Sequence, residues 1–183
     1  MKMFLTRFPK LYYVLVFISC CLIQGSTIGL LSNCLGLFIV PISNNLNITV
    51  GKSALFVTIV SLSSGLMSPL VNKIISRFKL YLIAIISNLL VLIAYIGIGY
   101  SKNIYLIYLF AIILGSSLVL YSTLVSSIII NNWFDKYNGV LTGACMAFSG
   151  IAGALFNPII NNLIINNGYK YALVVSGILN IIF

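Results

Sequence analysis

Few residues in this chain have the means to do chemistry. It has no histidine, and Asp135 is its single acid. A metal site built from His, Cys or carboxylates, a Ser–His–Asp triad and a pair of catalytic carboxylates all lack their parts. No catalytic residue, metal or cofactor is therefore expected, and an enzyme is not the reading. The four cysteines, Cys20, Cys21, Cys34 and Cys145, lie in apolar sequence without a CxxC pattern and read as small packing residues. The polar groups that do stand inside apolar sequence are uncharged: Gln24, Asn33, Tyr121, Ser122 and Asn157. A buried amide in hydrocarbon is costly unless it finds partners or faces a wet cavity. Gln24 and Asn33 thus read either as cavity-lining residues or as interhelical hydrogen-bonding groups. Tyr121 reads as lining or as a core aromatic with its hydroxyl bonded to a neighbour. These five are the candidates to line a site for a small solute.

The elements that must position them are dictated by composition. The chain is 61% hydrophobic and 6% charged, with ten Lys and Arg against the one acid. A soluble domain carries roughly 25% charged residues, so this chain cannot cover a water-facing surface. A bilayer core needs about 20 mostly apolar residues per helix, and only helices or closed barrels satisfy their backbone there. The tracts are apolar runs rather than alternating barrel strands, which predicts an all-α integral membrane protein. Spans are expected at about 12–40, 53–72, 80–100, 104–130 and 139–164, with an incomplete sixth at 171–183. Residues 1–10 form an N-terminal segment before a six-helix domain at 11–183. With the N-terminus in the cytoplasm, seven bases (Lys2, Arg7, Lys10, Lys73, Arg77, Lys79, Lys136) lie inside and three (Lys52, Lys102, Lys170) outside. That bias supports the orientation and a multi-pass protein of the cell membrane. The net charge of +9 is thus topology rather than a nucleic-acid patch, since the bases sit singly at span ends.

Small residues mark the faces on which these helices approach each other. Gly25, Gly29 and Gly36 recur in the first span, and Gly143 and Gly150 in the fifth, with Gly153 close by. With Ser32 in the first span and Ala147 and Ala154 in the fifth, the spacing is 4, 3 and 4 in each, which puts small residues on one helix face and allows close packing in lipid. Ser61, Ser64, Gly65 and Ser68 form a similar stripe in the second span.

Two loops carry a family resemblance. "SGLMSPLVNKIISRFKLYLI" resembles the cytoplasmic loop between the second and third spans of major facilitator superfamily transporters. Ser68, Pro69, Leu70, Lys73, Arg77 and Phe78 fit that pattern; Ser76 stands where the family usually has aspartate, and Lys79 where it usually has glycine. "NNWFDKYNGVLTGACMAFSGIAGALFNPIINNLIINNGYKYA" resembles the loop and fifth span of the superfamily's monocarboxylate and oxalate/formate branch, through Trp133, Phe134, Lys136, Gly139, Gly143, Gly150, Gly153 and Pro158. Leu114 stands where many relatives carry arginine.

The resemblance implies the N-terminal six-helix half of a twelve-span transporter, with a C-terminal half as its partner. The activity implied is secondary active transport of a small solute, a carboxylate or another small metabolite, by alternating access across the lipid bilayer. Lys73, Arg77, Trp133, Asp135 and Lys136 would then belong to cytoplasmic gating loops, with Arg77 pairing to Asp135. Asn138 is expected to cap the fifth helix. The competing class is a non-transporting polytopic membrane protein, either receptor-like or truncated.

Overall fold

The computed structural model describes residues 9–134 and 136–182, with side chains from residue 12 onward except at 123. Among the described residues there is no strand. The helices are α1 (Pro9–Gln24), α2 (Ile39–Leu46), α3 (Val50–Arg77), α4 (Leu80–Tyr100), α5 (Ile104–Tyr121), α6 (Thr123–Trp133), α7 (Asn138–Asn167) and α8 (Tyr169–Ile182). Between α1 and α2 the chain stays helical as a π turn at Gly25–Ser32 and a 3-10 turn at Leu35–Phe38. Among the described residues five stretches are long and apolar enough to cross a membrane: Tyr12–Leu46, Val50–Arg77, Leu80–Tyr100, Ile104–Trp133 and Asn138–Asn167. They are spans 1 to 5, and α8 is a sixth, shorter apolar helix of 14 residues.

The joints between spans are short. Span 1 ends on Asn47, in the left-handed region at φ 52°, and Thr49 caps span 2 by accepting the Lys52 N–H. Asn103 caps span 4, its Oδ1 taking the Tyr105 N–H at 3.1 Å. Span 5 turns into α8 at Gly168, whose φ of +83° suits a residue without Cβ. The fifth helix starts differently from the sequence expectation. Asn138 is its first helical residue, not its cap; Tyr137 holds the cap position at φ 65°, and Asn138 Oδ1 is buried without a partner. The left-handed turn at Tyr137 begins the helix one residue early, so the Asn138 side chain cannot reach back over the first turn.

Successive antiparallel spans bring the loops at 73–79 and 131–138 to the same end of the bundle as the start of span 1. The main core lies between spans 1 to 5 and α8, around Leu30, Phe38, Phe56, Tyr95, Leu114, Ile160 and Leu173. A smaller cluster of Cys20, Cys21, Ile130 and Cys145 joins spans 1, 4 and 5 nearer the shared loop end.

Candidate functional site

Spans 1 and 4 are both irregular at mid-depth. In span 1 the Asn33 N–H reaches the Ile28 carbonyl at 2.9 Å, five residues back, which is the wide turn of a π-helix. Ser26 and Thr27 lie just before it, and their hydroxyls bond the Ile23 carbonyl at 3.1 and 2.6 Å. Such back-bonding competes with the regular ladder and bends helices. In span 4 the break falls at Ser122, with φ −98° and ψ −130°, in a hydroxyl-rich run from Ser122 to Ser127. No proline is near it. The Ser122 carbonyl then takes both the N–H and the hydroxyl of Ser126, at 3.2 and 3.4 Å.

A cavity of about 320 Å³ lies where these two irregular segments face span 2. Thr27, Ile28 and Ser32 line it from span 1, Val60, Ser61 and Ser64 from span 2, and Leu118, Val119 and Ser122 from span 4. Five of the nine lining residues carry hydroxyls and none carries a charge. Ser64 spans the floor, donating to the carbonyls of Val60 (2.8 Å) and Gly115 (2.9 Å). Gly115 makes that approach possible: a Cβ there would overlap the Ser63 hydroxyl and the Val60 carbonyl. The site therefore offers hydroxyl oxygens as acceptors, with Cβ and methyl groups between them. It suits a small polar solute rather than a reacting one.

The five expected lining residues separate. Ser122 lines the cavity. Asn33 instead donates to the Ser149 carbonyl of span 5 at 3.5 Å and abuts Gly153. Asn157 donates to the Gly153 carbonyl within its own helix at 2.8 Å. Tyr121 is half-buried beside the break and away from the cavity wall. Gln24 is fully buried, and neither its Oε1 nor its Nε2 has a partner. Thr27, Ser32, Ser61 and Ser64 had no place in the expected lining. The serines at 61 and 64 carried a signal, since three-residue spacing puts both on one face, but small hydroxyls in apolar helices read equally well as packing.

The glycine stripes also divide. A Cβ on Gly29 would come within 2.6 Å of Ala152 and 2.8 Å of the Ser149 carbonyl, and Gly25 faces Phe148 and Ala152. A Cβ on Gly153 would meet the Asn33 amide at 2.7 Å. Gly36, Gly143 and Gly150 were expected on the same packing faces, but a Cβ on any of them would meet nothing within 4 Å. Span 5 meets span 1 through Ser149, Ala152 and Gly153.

At the shared loop end, Trp133 packs on Tyr12 with ring centroids 5.0 Å apart and meets Tyr13 edge-on at 6.5 Å. Tyr13 also contacts Phe134 at 5.5 Å, and Lys136 borders the same open cleft. Lys73 and Arg77 are exposed at the end of span 2. Asp135, and with it the expected pairing to Arg77, lies outside the described residues.

No curated protein matches this sequence. The family model described as Major Facilitator Superfamily matches residues 16–183, which takes in every span, α8 and both irregular segments. A bundle of apolar spans, an uncharged polar cavity at their broken mid-sections and a match over nearly the whole length lead to one assignment: the chain belongs to the Major Facilitator Superfamily.

Proposed function

We propose that this chain forms one half of the solute passage of a secondary active transporter, and that the hydroxyl-lined cavity is its half-site. The observation that carries the reading is the coincidence of three features: the π turn of span 1, the break of span 4 and the serines of span 2 all meet at one uncharged cavity. Discontinuous helices at mid-membrane are where transporters of this kind place substrate, and alternating access arises from rocking one bundle against another around it. The solute is a small polar molecule of the size such a cavity admits. A carboxylate, the class suggested by the monocarboxylate and oxalate/formate resemblance, would find hydroxyls here and would need its counter-charge from a C-terminal half.

Lys73, Arg77, Trp133, Asp135 and Lys136 gate the end at which the span 2–3 and span 4–5 loops meet, in the cytoplasm of a cell-membrane protein with its N-terminus inside. The aromatic contact of Trp133 with Tyr12 and Tyr13 supports that role by tying spans 1 and 4 together there.

Uptake of a labelled panel of small neutral polar solutes and monocarboxylates by the full-length protein tests the proposal. Thr27→Val, Ser61→Ala and Ser122→Ala are each expected to raise KM for the transported solute by roughly three- to tenfold, the worth of one lost hydrogen bond. Three variants with unchanged KM would remove the cavity from the passage. Thiol labelling from outside the cell should leave cysteines introduced at 73–79 and 131–138 unmodified, and labelling of either set would reverse the orientation.

A further inference from the structure

A second groove has a different character. Ile74 of span 2, Phe78 just after it, Leu82, Ile83, Ile86 and Ser87 of span 3 and Leu120 of span 4 enclose about 340 Å³ that is almost wholly apolar. It opens on the lipid-facing side, where Phe78 is 60% and Ile86 55% exposed. From Leu80 to Ser87 it descends about 10 Å along span 3, at 1.5 Å per residue. Cations flank it along the chain. Lys73, Arg77 and Lys79 are all exposed, and Lys73 and Arg77 lie one turn apart on span 2, each immediately before a lining residue, Ile74 and Phe78. Like charges at that spacing repel each other unless an anion lies against them. Ser76, between Lys73 and Arg77, is neutral and turns its hydroxyl to the Lys73 carbonyl at 2.9 Å.

An apolar slot about 10 Å deep, flanked by three cations, matches one occupant, and we propose that this groove retains a single anionic phospholipid. One acyl chain fills the slot between spans 2, 3 and 4, and the phosphate lies against Lys73, Arg77 and Lys79. Ordinary bulk lipid covers any exposed apolar helix; the flanking cations are what selects an anionic headgroup, as basic juxtamembrane clusters do. The groove reaches Leu120, two residues before the break at Ser122. Lipid bound there would brace the span 4 segment that lines the cavity. The inference is independent of the transport proposal, because it needs only the spans and the loop between two of them.

Native mass spectrometry of the full chain, released from micelles supplemented with phosphatidylglycerol or phosphatidylcholine of identical acyl chains, tests it. One phosphatidylglycerol adduct should survive activation that strips phosphatidylcholine. The triple variant Lys73→Gln, Arg77→Gln, Lys79→Gln should lower the retained fraction roughly tenfold or more, whereas Lys52→Gln, Lys102→Gln, Lys170→Gln should leave it unchanged. Ile86→Trp, which fills the slot and keeps the cations, should also release the lipid. Equal retention of the two lipids, or full retention by the Lys73/Arg77/Lys79 variant, overturns the proposal. So does displacement of the adduct by soluble glycerophosphate at the same concentration as lipid, which would make the three cations a free-anion site. These readouts involve no solute, so their failure is separate from failure of the transport reading.

Discussion

Spans 1 and 5 cross in the same manner as spans 4 and 2, and the two crossings are finished differently. In each, a glycine of the irregular span lies against a backbone carbonyl of its neighbour: Gly29 against Ser149, Gly115 against Val60. In the span 4–2 crossing the surrounding groups are serines, the Ser64 hydroxyl reaches across to the Gly115 carbonyl, and a polar cavity opens above it. In the span 1–5 crossing the neighbours are Phe148, Ala152 and thiols, and the space left over, about 200 Å³, is lined by apolar groups such as Leu22, Phe148 and Ile151. Close approach is thus a shared device, and the side chains around it decide whether the leftover space is wet or greasy. The wet one is where a solute can exchange water for hydroxyls.

The sharpest way to break the comparison is to add a side chain at either glycine. Gly115→Leu and Gly29→Leu should each destabilise the bundle by about 3 kcal/mol or more, since backbone cannot yield as a flexible side chain does. Thermal unfolding in detergent measures this, and Gly36→Ala, Gly143→Ala and Gly150→Ala supply the contrast. A Cβ at those positions meets open space, and alanine is the better helix former by about 1 kcal/mol, so these variants should be neutral or slightly stabilising. If Gly115→Leu and Gly143→Ala lower the melting temperature equally, the crossings do not depend on close approach.

A smaller effect is expected where the π turn gives way to the 3-10 turn. Tyr95, fully buried on span 3, donates its hydroxyl to the Leu31 carbonyl at 3.1 Å. Tyr95→Phe should cost about 1–2 kcal/mol by leaving that carbonyl buried without its partner. An unchanged melting temperature would mean the carbonyl is satisfied another way. The span 1–5 crossing can also be sharpened chemically, because the Cys21 and Cys145 sulfurs lie 3.5 Å apart. Oxidation with copper phenanthroline should join them, with loss of the mass of two hydrogens and of two alkylatable thiols. Cys145→Ser should abolish both changes. Persistence of all four thiols in the oxidised protein would move span 5 away from span 1.

The fold was legible because hydrocarbon imposes a single strong constraint. Uncharged runs of twenty or more residues with basic ends leave helices as the answer, and the loop motifs around Lys73–Phe78 and Trp133–Gly139 supplied the family. The site was much less so. Asn33 read as either a cavity group or an interhelical one and takes the second role, on the Ser149 carbonyl of span 5, whereas Asn157, read as a cavity group, bonds the Gly153 carbonyl of its own helix. The cavity is instead made by serines and a threonine, which are ordinary in membrane helices. What singles them out is that two helices lose their regular turn beside them. A π turn depends on which carbonyls the Ser26 and Thr27 hydroxyls take and on how span 5 presses on Gly29. Hydropathy and spacing hold no record of either. Asn88 and Asn180, amides in apolar runs that were not among the expected lining residues, pair with each other at 2.7 Å between span 3 and α8.

Gln24 tests the difference between the two crossings most finely. It sits on span 1 immediately before the π turn, fully buried, with both amide atoms unpartnered. A buried polar group without a hydrogen bond costs roughly 1–3 kcal/mol, and nothing in the span 1–5 crossing offsets that here. Gln24→Leu removes both atoms at similar volume, so it should stabilise this conformation by about 1 kcal/mol once the change of shape is allowed for. The melting temperature should rise, opposite in sign to the effect of Tyr95→Phe. Transport then separates two roles. If Gln24 serves only this conformation, uptake is unchanged while stability rises. If the amide finds its partners when the bundle rocks, on solute or on another span, the variant gains stability and loses turnover together, because the conformation that satisfied the amide is no longer favoured. A fall in melting temperature with Gln24→Leu would mean that the amide has partners in the resting protein, and the span 1–5 crossing would then be as polar as its counterpart.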